Sequence, residues 1–207
     1  MLDDLLYRVR QQLDAQVLAQ RHRVIDRAAA VAQTLKVRDQ RVVRLDLRAL
    51  GGSALTADIP VPKQRTEAEM SVGIPLTYVP ARNTILLGLA LGYAETVGAF
   101  DLFIGANILD YSGYPDCRPE YYEAFNRLIA VGTKPATQIE IVTPVITLRK
   151  SAIIQRGQEL NAPLHLTWSC YEAEDLACGS CDSCALRLRG FAEAGIVDPI
   201  AYSTLAI

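Results

Sequence analysis

Phe100-Asp101-Leu102-Phe103-Ile104-Gly105 runs directly into Ala106-Asn107-Ile108-Leu109-Asp110-Tyr111-Ser112-Gly113-Tyr114-Pro115-Asp116-Cys117-Arg118. The first six residues make a short, mostly apolar run that fits a buried strand. The polar, turn-rich stretch behind it falls where open α/β sheets place their ligands, beyond the carboxyl end of a strand. Working outward, Arg41-Val42-Val43-Arg44-Leu45-Asp46-Leu47 alternates and is β-branched, which predicts an earlier strand, and residues 138–142 supply a later one. Helical spacing covers roughly 82–97, 119–131 and 149–161 between and after them. The order β–α–β–α–β–α predicts an α/β fold: a parallel sheet covered by helices.

Two segments depart from that rhythm. From Leu2 to about Leu35, apolar residues recur at Leu5, Leu6, Val9, Leu13, Val17, Val24 and Ile25, the pattern of one long amphipathic helix, so residues 1–19 read as an atypical helical N-terminus. Residues 48–81 carry Gly51-Gly52-Ser53, Pro60, Pro62, Pro75 and Pro80 with charges between them, and predict a long loop. A connection of that length is either a functional lid or a tolerated insertion. The 207 residues are taken as a single α/β domain with a C-terminal lobe over 164–195.

Charge and hydropathy exclude several functions. Lys and Arg number 21 against 23 Asp and Glu, a formal net charge of −2, so no basic surface calls for a nucleic acid. The longest apolar stretch, Ile85 to Ala94, is about half of the ~20 residues needed to cross a bilayer, and no membrane partner is expected. Asp3 and Asp4 stand where a signal peptide carries positive charge. A cytoplasmic location follows, and there clustered cysteines read as metal ligands before disulfides.

Four of the five cysteines form Cys170-x7-Cys178-x2-Cys181-x2-Cys184. Such spacing lets neighbouring thiolates converge on one tetrahedral ion, and zinc is the expected ion, with buried thiols, an iron–sulfur cluster or a disulfide pair as alternatives. Four sulfur ligands leave no water position, so this ion is structural. Gly179 allows the turn between ligands, Asp182 or Ser183 can cap a helix running to Phe191, and Arg187 and Arg189 bring positive charge toward the thiolates.

The run 110–118 has two readings. Tyr111 and Tyr114 can stack on a planar ring, Asp110 and Asp116 can accept a pair of N–H bonds from a guanine-like edge, and Arg118 can pair with a carboxylate. Equally, it is a turn with an Asp cap ahead of the next helix. Arg82 and Asn83 open another helix and can face a ligand. His165 reads as the polar face of a strand in Leu164-His165-Leu166-Thr167, and His22 as a helix-surface residue. No Ser/His/Asp set and no Walker loop occurs, so the catalytic group is left unassigned.

Gln20-Arg21-His22-Arg23, Gly51-Gly52-Ser53-Ala54-Leu55-Thr56, Gly73-Ile74-Pro75, Tyr78-Val79-Pro80-Ala81-Arg82-Asn83-Thr84, Asp110 to Arg118, Thr167-Trp168-Ser169-Cys170 and the Cys178–Cys184 cluster, taken in order, closely resemble the 7-cyano-7-deazaguanine synthase family of queuosine biosynthesis. The resemblance implies a Rossmann-like, adenine-nucleotide-hydrolase-like fold with a structural zinc on Cys170, Cys178, Cys181 and Cys184. It implies an ATP-dependent C–N ligase that joins 7-carboxy-7-deazaguanine and ammonia into the nitrile by adenylating the carboxylate and dehydrating an amide. Arg82, Asn83, Asp110, Tyr111, Tyr114, Asp116 and Arg118 would line the substrate site, and Lys150 would reach nucleotide phosphate. A homodimer is the default, with Gly88-x3-Gly92 permitting close helix approach.

One departure is large. The family opens with a strand, a Ser-Gly-Gly-x-Asp-Ser loop that cradles the ATP pyrophosphate, a helix and a second strand, and this sequence contains no such loop. Gly51-Gly52-Ser53 matches a different, interior motif. The departure reads as an N-terminal truncation or replacement, with the N-terminal strands missing. It sets two expectations side by side: a working nitrile-forming synthase, or a zinc-stabilised deazapurine-binding or dimer-forming remnant with impaired catalysis.

Overall fold

The computed structural model describes residues 15–109, 113–173 and 175–203. Six α-helices and two strands follow one another as α1 (Ala15–Thr34), α2 (Glu67–Met70), α3 (Arg82–Val97), β1 (Asp101–Phe103), α4 (Pro119–Gly132), β2 (Glu140–Val142), α5 (Lys150–Glu159) and α6 (Asp182–Glu193). The part of the expected N-terminal helix before Ala15 lies outside the described residues.

β1 and β2 pair in parallel, with Leu102 opposite Ile141. α4 makes the crossover that parallel pairing requires. Pro119 occupies the first helical position, where its missing N–H costs nothing. Leu87 and Ala94 of α3 meet Tyr122, Phe125 and Ile129 of α4 and Ile139 and Ile141 around β2, forming the main core. Asn126 of α4 closes the outer edge of β2, since its Oδ1 accepts from the Ile141 N–H at 2.8 Å and its amide donates to the Ile141 carbonyl at 3.5 Å. A side-chain amide thus replaces the neighbouring strand that those two backbone groups would otherwise need.

The strand expected at 41–47 does not form. Residues 39–46 are irregular and exposed, and Leu47–Ala49 make a 3₁₀ turn capped by Asp46. The alternation there has no strand to pair with among the described residues, and a strand exists only through its ladder. The segment is held to α3 instead: the Tyr93 hydroxyl donates to Asp39 at 2.6 Å, and the Arg41 guanidinium lies over the Tyr93 ring. Val43 stays 60 % exposed and Phe103, on β1, 71 %.

The 48–81 segment is ordered. Ser53 is buried, with its Oγ donating to the Leu76 carbonyl at 3.2 Å, and Thr56 Oγ1 donates to Gly51 O at 2.7 Å. Thr66 and Glu69 form a reciprocal capping box on α2. Leu164–Leu166, read as a strand, is a 3₁₀ turn, with the His165 carbonyl accepting from Arg27. The strand reading failed because the turn closes within itself, Thr167 N–H bonding back to the Leu164 carbonyl.

A second core is small and thiol-rich. Cys170, Ala177, Cys181 and Cys184 are buried together with Val61, Trp168 and Ile200 against them. It draws in two strand-like contacts, Lys63 with Cys181 and Ala177 with Tyr202, so residues from both sides of the expected 164–195 lobe build it. Arg187 anchors its far side. The guanidinium pairs with both carboxylate oxygens of Asp198, at 2.7 and 2.9 Å, and reaches Thr167 Oγ1 at 2.8 Å. Both partners are almost wholly buried. Removing one partner of such a pair leaves a charge without compensation. Asp198→Ala is expected to lower unfolding free energy by about 3–5 kcal/mol, read from a urea melt at fixed metal content.

Candidate functional site

Cys181 is the N-cap of α6 and Cys184 lies in its first turn, so the helix start presents two thiols on one side. This differs from the expected cap at Asp182 or Ser183, because the Asp182 carboxylate is turned to Arg65 instead, accepting from its Nε at 3.1 and 3.2 Å. Gly179 takes φ +72°, the left-handed turn that brings Cys178 to the same place. The ligand atoms of Cys170, Cys178, Cys181 and Cys184 all lie within 4.8 Å of one another. Backbone N–H groups point at the sulfurs: Ala173 and Cys178 donate to Cys170 Sγ at 3.3 and 3.4 Å, and Cys181 donates to Cys178 Sγ at 3.3 Å.

Crowding governs the protonation of these thiols. Hydrogen bonds from Cys181 and Cys184 pull Cys170 far below its usual range, the same contacts push Cys184 far above it, and the Cys170 sulfur pushes Cys181 up to about 12. Four thiolates at this separation coexist only around a cation. Largely buried sulfurs within 4.8 Å of one another, with N–H donors behind them, therefore fit a metal ion, and four sulfur ligands would make it a structural one. The two arginines expected to bring positive charge toward the thiolates have carboxylate partners. Arg187 is taken by Asp198, and Arg189 pairs with Glu67 and Glu193. Lys63 faces the cluster, its pKa raised first by Glu172 and then by Cys178 and Cys181.

A cavity of about 300 Å³ opens beside this lobe. The connection leaving β1 contributes Asn107 and Tyr114, and the residue that begins α5, Lys150, follows β2, so the cavity sits off the carboxyl ends of both strands. Thr167, Ser169 and Tyr171 from the lobe, Asp182, Ser183 and Arg187 from α6, and Thr77 complete its polar lining. Ile154, Leu164, Leu186 and Phe191 give it an apolar wall. The Asn107 amide is hydrogen-bonded to the Leu148 carbonyl, which ties the two strand exits together. Tyr114 shares a 2.8 Å hydrogen bond with Thr77 Oγ1 and stands 5.9 Å from the Tyr78 ring. Burial and the nearby Tyr114 push the Tyr171 phenol well above its usual range, so it is a neutral donor.

The residues singled out in the sequence fall into four groups. Tyr114 and Lys150 line the cavity. Asn83 and Asp116 are buried and bonded to one another: the Asn83 N–H donates to Asp116 Oδ2 at 3.1 Å and its amide to the Asp116 carbonyl at 2.9 Å. They fasten the start of α3 to the turn before α4. Arg82 is half-buried beside them, near enough to Tyr171 to act on it electrostatically, and Arg118 is exposed at the N-cap of α4. Asp110 and Tyr111 lie outside the described residues. Gly113 passes so close to Pro75 that a Cβ would lie 2.8 Å from its ring, which brings the Gly73-Ile74-Pro75 motif against Gly113 and the turn that follows it. Thr77, Thr167, Ser169, Tyr171 and Ser183 were not expected at the cavity. Two of them flank Cys170 and one sits between Cys181 and Cys184, so the thiol spacing was the signal that could have found them.

These features define an α/β protein in which a four-cysteine lobe able to hold a metal borders a cavity at the sheet's carboxyl edge. The sequence pattern of the queuosine biosynthesis protein QueC matches residues 12–195. A 7-cyano-7-deazaguanine synthase from Nostoc punctiforme is 55 % identical over 189 residues, 89 % of this chain and 84 % of the relative. The synthase of Paramagnetospirillum magneticum is 52 % identical over 191 residues, with 89 % and 84 % covered, and that of Geobacter metallireducens 52 % over 193, with 90 % and 80 % covered. The chain belongs to the QueC family of queuosine biosynthesis. No described helix is long and apolar enough to cross a membrane.

Asp116→Ala takes the acceptor from a buried N–H. It is expected to cost about 1–3 kcal/mol of stability, measured by thermal or urea unfolding, with Asn83→Ala giving a loss that does not add to it in the double variant.

Proposed function

We propose that the chain carries out the nitrile-forming reaction of its family: 7-carboxy-7-deazaguanine, ammonia and ATP give 7-cyano-7-deazaguanine. The single observation that carries this reading is 55 % identity to a 7-cyano-7-deazaguanine synthase across 89 % of the chain. Chemically, a carboxylate is a poor electrophile until its oxygen is made a leaving group. Adenylation by one ATP supplies that, with release of pyrophosphate, and ammonia displaces AMP to give the amide; a second ATP adenylates the amide oxygen, which leaves as AMP while the nitrogen gives up its protons, forming the nitrile. The cavity suits such a substrate in size and in its mixture of flat apolar wall and convergent polar groups. Tyr114 would face the ring and Lys150 the anionic groups, with Arg82 and Arg118 as further cations, Asp110 and Tyr111 as further substrate contacts, and Asn83 and Asp116 fixing the turn before α4. The protein acts on small molecules in the cytoplasm, needs neither nucleic acid nor membrane, and works as a homodimer.

The four cysteines hold zinc in this reading, one ion per chain, and it stabilises the lobe without touching the chemistry. Elemental analysis of protein purified without added metal is expected to find about one zinc per chain. Uptake should strengthen as pH rises, because binding displaces protons from the raised Cys181 and Cys184. Iron with visible charge-transfer absorption would replace this assignment.

A second reading is favoured by the sequence itself, which has no Ser-Gly-Gly-x-Asp-Ser loop for the pyrophosphate. In it the 207 residues keep the deazapurine and metal sites and turn over slowly. The two are separated by following pyrophosphate and nitrile together. The 207-residue chain is expected to bind ATP weakly and turn over far more slowly than the same chain carrying a relative's strand, Ser-Gly-Gly-x-Asp-Ser loop, helix and second strand ahead of Gln20. Rapid, stoichiometric release of both products by the 207-residue chain would show that another segment holds the phosphates.

A further inference from the structure

The two outer edges of the small sheet are finished differently. Phe100 O accepts from the Glu140 N–H and the Ile104 N–H donates to Val142 O, so Phe100, Ile104 and, between them, Leu102 turn their backbone polar groups toward β2. By the two-residue period of a strand, Asp101 and Phe103 turn theirs the other way. Asn126 closes the outer edge of β2. Among the described residues nothing closes the edge at Asp101 and Phe103, and the strand has no lysine or proline of the kind that keeps an edge from pairing.

A segment with the converse need lies elsewhere on the chain. From Arg41 to Leu45 every residue is exposed, and no backbone N–H or carbonyl there is hydrogen-bonded among the described residues. Its β-branched alternation is that of a strand without a ladder. Laid antiparallel on the open edge with Val43 opposite Leu102, it matches β1 position by position. Val42 then meets Phe103 and Leu45 meets Phe100, apolar against apolar, while Arg44 meets Asp101. The positions opposite Asp101 and Phe103 are the ones that exchange N–H and carbonyl bonds with them. Charge fixes this register. Asp101 stands directly beside Glu140, and neither carboxylate has an ion-pair partner among the described residues; nor has Arg44. A slip of two residues sets Asp46 against Asp101, and a parallel strand that keeps Arg44 on Asp101 sets Asp46 against Phe103.

We propose that two copies of the chain form a two-fold dimer in which residues 41–45 of each copy add as an antiparallel strand to the open edge of β1 in the other, extending each two-stranded sheet to three strands. The occupant is a second copy because the complementary segment, in apolar match and in charge, belongs to this chain, where Asp39 and Arg41 tie it to Tyr93 of α3 and it makes no pair with its own β1. A two-fold axis makes every contact twice. The proposal rests on the homodimer of the reading above and gives it a surface; it asks nothing of the chemistry.

Sedimentation equilibrium of the full chain at micromolar concentration tests this and is expected to give a dimer. Arg44→Glu and Asp101→Arg should each raise the dimer dissociation constant about tenfold or more, and the double variant, which exchanges the charges across both contacts, should restore it. Val42→Pro removes an N–H that the open edge would receive, twice per dimer, and should weaken association about tenfold as well. All three positions are exposed, so helix content by circular dichroism is expected to stay that of the unsubstituted chain. A dissociation constant unchanged by every single variant would overturn this interface and leave the homodimer standing. Weakening by the single variants without recovery in the double variant would overturn the pairing of Arg44 with Asp101 and with it the register. A monomeric unsubstituted chain would overturn the interface and the homodimer together, while the nitrile-forming reaction is judged separately, by turnover.

Discussion

Four sulfurs within 4.8 Å of one another are the constraint on which the C-terminal half depends. The second core is small, and its centre is thiols, which repel one another once ionised. A cation held there would convert that repulsion into a cross-link, and everything bonded to the cysteine backbone would inherit its position. Ser169 and Tyr171 flank one ligand, Asp182 and Ser183 sit between two others, and Lys63 pairs across to Cys181. The four-cysteine cluster therefore shapes the cavity by geometry. Residues beside its ligands set one wall, while Thr77, Asn107, Tyr114, Lys150 and Ile154 set the other.

The main core follows a different rule. Its helices are held by ordinary apolar packing, and polar side chains finish what so small a sheet leaves undone. With two three-residue strands, β2 would expose the backbone of Ile141, and Asn126 takes both groups. Phe100 and Phe103 remain exposed around β1, as do Val42, Val43 and Leu45 in the segment held to α3. Fold and site thus divide the labour: the closed edge at β2 gives a fixed strand end, and the fixed strand ends bring Asn107 and Lys150 to one cavity.

Local patterns were legible in the sequence where the physics is local. Helical periodicity located α3, α4 and α5 within about two residues, because an amphipathic face depends only on spacing. The thiol cluster was legible because metal ligation imposes short, fixed intervals. The 41–47 strand was not, since β-branched alternation expresses a preference that only a partner strand can realise. The turn at Leu164–Leu166 failed for the same reason. The loop at 48–81 looked unstructured because its order comes from long-range bonds such as Ser53 to Leu76, which no window of sequence contains. The cavity was the least legible feature, as Thr77, Asn107, Lys150, Ser169 and Arg187 come from five separate stretches.

Satisfaction of buried polar groups separates the residues that build the protein from those that serve a ligand. Asn83 and Asp116, Arg65 and Asp182, and Arg187 and Asp198 all look like binding residues by type, yet each has spent its hydrogen bonds on its partner. Any ligand that borrowed one of them would have to repay the bond it broke, so such pairs make rigid walls. Residue type alone suggests a ligand-binding role for all six side chains. Their hydrogen-bond partners assign them to the frame.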